Sequence, residues 1–154
     1  MKQKIVAFCA MGLIAIGGTG AAFANNHTDT NYKFNFGTLN GDRYTDGRKK
    51  VDNSKSYMKC NTMTNGYSYK AKVVANIGGG TRKDVGSPTY DFVTGTTRRM
   101  TNYVMEKGYR AAAIKANAGI NIKETTATGV WSPDSYQGKI TRLITRKVKV
   151  ILNI

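Results

Sequence analysis

Acidic side chains, histidine, cysteine and proline are all scarce in this sequence. Nine Asp and Glu stand against 24 Lys and Arg, so the formal net charge is +15, and there is one His, two Cys and two Pro in 154 residues. Each scarcity excludes something. One histidine, His27, and so few thiols cannot build a Cys/His zinc site, and only added carboxylates would complete a mixed one. No HExxH or GxSxG occurs, and the nine scattered acids form no carboxylate pair at a telling spacing. The sequence therefore points away from an enzyme and implies no cofactor and no metal. With two prolines, no repeat and no low-complexity tract, it offers no linker either.

Long apolar runs are absent except at the start. Lys2 and Lys4 precede the apolar stretch of residues 5–16, and Ala22-Phe23-Ala24 has the small-x-small form of a cleavage site. The run is short for a membrane span of about 20 residues and leads into Gly17, Gly18 and Gly20. Residues 1–24 read as a signal peptide cut before Asn25, which predicts a secreted chain with no transmembrane span. Cys9 falls inside that segment, so the mature chain keeps only Cys60 and cannot close an internal disulfide. In "SKSYMKCNT" the alternation puts Cys60 on a face with Met58, which predicts a buried thiol; a bridge to another chain is the alternative.

What is abundant is positive charge. Loss of Lys2 and Lys4 leaves 22 of the 24 cationic side chains against all nine acids, a formal +13. Such a balance says little about fold and much about partners: an anionic cell-wall polymer, an anionic lipid surface, an acidic glycan or nucleic acid. Tyrosines do interleave with cations in "YSYKAK" and "KGYRAA", as in single-strand binders. Strand alternation explains the same tyrosines, so no specific nucleic acid is expected.

The dominant pattern has period two. "YKFNF" sets Tyr32, Phe34 and Phe36 on one face, and "YSYKAKVVA" sets Tyr67, Tyr69, Ala71 and Val73 against Ser68, Lys70 and Lys72. Apolar-in, lysine-out describes antiparallel strands wetted on one side. Turn pairs Asn40-Gly41, Asp46-Gly47 and Asn65-Gly66 punctuate the runs. "SYMKCN" and "YSYKAKVV", separated by "TMTNG", predict a hairpin. The expected fold is all-β, a small antiparallel β-sandwich or barrel over residues 25–136.

"NIGGGTRKDVGSP" reads as a flexible hairpin connection, since it lacks the Gly-Lys-Ser/Thr ending of a phosphate loop. Residues 98–123 predict two strands meeting near Lys107-Gly108, although Met100, Tyr103 and Val104 also have helical spacing. Trp131, before Ser132-Pro133, is read first as a core plug at a strand end and second as a candidate binding aromatic.

Residues 137–154 form a basic tail. As a strand it alternates Val148, Val150, Leu152 and Ile154 against Lys147, Lys149 and Asn153. As a helix it gathers Arg142, Arg146 and Lys149 opposite Ile140, Leu143, Ile144, Val148 and Ile151. Its wealth of isoleucine, valine and threonine favours the strand. In either form Lys139, Arg142, Arg146, Lys147 and Lys149 are the expected anionic-surface contacts.

"NNHTDTNYKFNF", "NYVMEKGYRAAAI" and "GVWSPDS" together resemble a family of small secreted proteins of Gram-positive bacteria catalogued as a domain of unknown function. A looser similarity links the chain to secreted bacteriocins of the lactococcin type. The resemblance implies secretion and a small β-rich domain, and it brings no catalytic residues. The combined expectation is a secreted cationic non-enzymatic protein that binds an anionic cell-envelope surface, with bacteriocin-like action as its sharper form. The alternative is a structural or interaction protein of the producer's own wall; a small secreted enzyme or nucleic-acid-binding module ranks below both.

Overall fold

The computed structural model describes residues 26–39, 41–121 and 123–135. The expected signal peptide, the Asn40 half of one turn pair and the basic tail lie outside the described residues. Within them the chain is all-β, as its alternation predicts, with one 3₁₀ turn at Thr64–Gly66. The strands are β1 (Thr30–Phe36), β2 (Arg43–Tyr44), β3 (Arg48–Lys49), β4 (Ser56–Met63), β5 (Tyr69–Gly78), β6 (Thr81–Lys83), β7 (Tyr90–Phe92), β8 (Thr97–Met100), β9 (Ala111–Asn117) and β10 (Thr125–Ser132).

Two antiparallel sheets result. The first runs β1-β10-β4-β8; the second runs β2-β9-β5-β6, with β3 also on β9 and β7 also on β5. The inward side chains of both pack into one core, as in a sandwich. The first sheet supplies Tyr32, Phe34, Phe36, Met58, Cys60, Met100 and Trp131. The second supplies Tyr69, Ala71, Val73, Phe92, Ile114 and Ala116. Aromatic rings hold the two together: Tyr69, stacked on Phe92 of its own sheet at 5.3 Å, meets Phe36 of the first sheet at 5.5 Å and shares a 2.7 Å hydrogen bond with the Tyr32 hydroxyl. Burial pushes both phenols far above the ordinary tyrosine range, so they remain neutral donors.

The predicted "TMTNG" hairpin is corrected. β4 pairs with β10 and β8, β5 pairs with β9, β6 and β7, and the segment between them carries the chain from one sheet to the other. Asn65, at φ 64°, makes that turn in the left-handed region. The triple-glycine segment is a hairpin connection, tighter than expected: β5 reaches Gly78, β6 starts at Thr81, and Gly78, Gly79 and Gly80 all have positive φ. Residues 98–123 do hold two strands, β8 and β9, but these lie in different sheets, and Gly108 sits in the turn that separates them.

Candidate functional site

Strand alternation fixes what the first sheet shows to solvent. Asn31, Lys33 and Asn35 on β1 point away from the buried Tyr32, Phe34 and Phe36. The register sets Lys33 beside Thr128, Asn31 beside Val130, Val130 beside Lys59, and Tyr57 beside both Ser132 and Arg99. The outward face is therefore a surface of Asn, Thr and Tyr bearing Lys33, Lys59 and Arg99, with Arg98 exposed on the β8 edge. No strand of this sheet contains an acid. Among the described residues, no ion pair involves any of these four cations.

The second sheet differs. Three of its lysines are answered by carboxylates: Lys70 by Asp91 at 2.7 Å, Lys115 by Asp42 at 2.7 Å, and Lys72 by Asp84. Hydrogen bonds from Asn117 and Lys115 hold Asp42 below the usual carboxylate range, and the Lys72 hydrogen bond does the same for Asp84. Arg43, Arg48, Lys49, Arg82 and Lys83 on the second sheet's strands form no ion pair among the described residues, so the sheets differ in that cations and aspartates are interspersed on the second while the strands of the first carry cations alone.

At one end of that cationic face lies a recess of ≈200 Å³ lined by His27, Asp29, Tyr57, Arg99, Ser132, Asp134 and Ser135. Beneath it is a buried polar knot. Lys50 and Asp134 pair at 2.9 Å, both side chains 0% exposed. The Lys50 Nζ also donates to the carbonyls of Ser54 at 2.7 Å and Pro133 at 2.8 Å, so all three of its protons are used. Asp134 Oδ2 accepts from the backbone N–H of Val51 at 3.2 Å and of Asn26 at 3.3 Å. Ser56 Oγ donates to the Pro133 carbonyl, Ser132 Oγ to the Asp134 carbonyl, and Asn102 Nδ2 to the Ser54 carbonyl. The WSPDS motif is the hub of this network, which also ties down the N-terminal arm: the Arg48 guanidinium donates to Thr28 O, Asn26 Oδ1 and Trp131 O.

Trp131 is 1% exposed and belongs to the core, with the Arg48 guanidinium 5.7 Å from its ring centre. It fills the core-plug role and presents no open platform. Its neighbourhood includes a second recess of ≈200 Å³, lined by β1, Tyr44, Asp46 and Arg48 among others. Cys60 is buried with a free thiol, as its alternation predicts, and burial pushes that thiol up, away from the reactive thiolate form. The expected contacts Lys139, Arg142, Arg146, Lys147 and Lys149 lie outside the described residues.

Among the described residues, no three of His, Cys, Asp and Glu are placed to hold a metal, and no helix is long and apolar enough to cross a membrane. Sequence reading found the outward direction of Lys33 but not the isolation of the cationic face, because alternation does not say which carboxylates reach which lysines. It missed Lys50 altogether: inside "GRKKVDN" the residue looks like one more solvated cation.

No curated protein and no solved structure matches the chain. A family model does match, over residues 20–135, and ends on the last residue of the WSPDS motif. The chain belongs to the family described as protein of unknown function (DUF2712).

Proposed function

We propose that this chain is a secreted, cationic, non-enzymatic protein that binds an anionic cell-envelope surface through the outward face of the β1-β10-β4-β8 sheet. The observation that carries the reading is the contrast between the two sheets. Lys33, Lys59 and Arg99 share a face whose strands contain no acid, whereas Lys70, Lys72 and Lys115 are each matched by an aspartate. An open array of cations between Asn, Thr and Tyr suits a repeating phosphate or carboxylate surface better than a small ligand, which needs an enclosed pocket. The basic tail would add to the same attraction.

Binding to anionic vesicles or isolated cell walls is the test. It should fall steeply as salt rises, since exposed charges are screened beyond about 8 Å at physiological ionic strength. Equal binding to neutral vesicles, or binding indifferent to salt, would remove charge as the driver.

A further inference from the structure

We propose that the Lys50 Nζ and the Asp134 Cγ become joined by an amide bond formed inside the folded chain with loss of one water. The two side chains meet in a dry place: both are 0% exposed, and Nζ lies 2.9 Å from Oδ1. The carbonyls of Ser54 and Pro133 hold the nitrogen in place from two further directions. Such confinement turns an otherwise bimolecular condensation into an intramolecular one, where effective concentrations are very high. The reaction needs the free amine, and a proton passed from the ammonium to the carboxylate across the 2.9 Å contact supplies it together with the carboxylic acid.

The second oxygen is already addressed by donors. Oδ2 receives the N–H groups of Val51 and Asn26, and these are placed to stabilise the negative charge that develops on it as nitrogen adds to Cγ.

The step balances without an oxidant or a co-reactant. The amine lone pair forms the N–Cγ bond, and Oδ2 takes the carbonyl electrons. A proton passes from the nitrogen to Oδ1, the oxygen that faces it at 2.9 Å. The Cγ–Oδ1 bond then breaks, water leaves, and Oδ2 becomes the amide carbonyl. The remaining N–H keeps one of its two carbonyl partners. The product would staple the segment after β3 to the end of β10, across 84 residues, in a mature chain that has no second thiol with which to make an internal disulfide.

Tryptic mapping of the purified, unfolded wild-type chain by mass spectrometry is the test, and it does not depend on the binding reading. A joined species should carry peptide 50–55 linked to peptide 124–139 at one water below the sum of their masses, with no cleavage after Lys50. Lys50→Arg should restore the separate 124–139 peptide. Recovery of free Val51–Lys55 and free 124–139 from the wild-type protein would overturn the proposal.

Discussion

Gly129 shows how one residue can tie the two sheets together. It sits at the β-bulge where β10 shifts register against β4 between Thr128 and Gly129. A Cβ there would collide with the Lys59 carbonyl and with the Tyr32 ring and hydroxyl. The same hydroxyl donates to Lys59 O at 3.2 Å and shares a hydrogen bond with Tyr69. Gly129→Ala should therefore force apart a contact that spans both sheets. The expected cost is about 1–3 kcal/mol, the usual range for overpacking, read as a lower urea midpoint. An unchanged midpoint would mean that the bulge relaxes freely. Lys50 makes the complementary point, since its charge is buried only because Asp134 and two carbonyls receive all its protons.

At the scale of strands, alternation made faces legible and left partners obscure. Tyr32, Phe34 and Phe36, and likewise Met58 and Cys60, were assigned inward from sequence and are buried. The expected pairing of β4 with β5 does not form, because a turn signal such as Asn65-Gly66 states that the chain bends, not which strand it bends towards. Val74 and Ala113 also depart from the pattern: they are buried on the outward side of β5 and β9, the central strands of their sheet, where period two alone would leave them wet. The recess and the knot below it were not legible, since they assemble Asn26, Lys50, Ser54 and Asp134 from distant parts of the chain.

The carboxylates of the second sheet give that element a pH signature. The folded pKa values of Asp42 and Asp84 are depressed. Such groups stabilise the fold above the unfolded aspartate value of about 3.9, and the contribution is lost as pH falls through their folded values. The melting temperature should hold from neutral pH down to about 5 and drop below about 4. Asp84→Asn should flatten part of that drop; an identical acid limb would assign it to other groups.

For the whole molecule, the central claim is that the location of charge, more than its total, governs attachment to an anionic surface. Two triple variants of equal formal charge separate these ideas. Lys33→Gln/Lys59→Gln/Arg99→Gln strips the sheet that has no acids; Lys70→Gln/Lys72→Gln/Lys115→Gln strips cations already matched by Asp91, Asp84 and Asp42. Each cation near an anionic membrane contributes about 1 kcal/mol, so the first variant should bind anionic vesicles roughly 100-fold more weakly than wild type. The second, measured at the same ionic strength, should lose no more than about tenfold. Equal losses from the two variants would contradict the account and return the attraction to net charge alone.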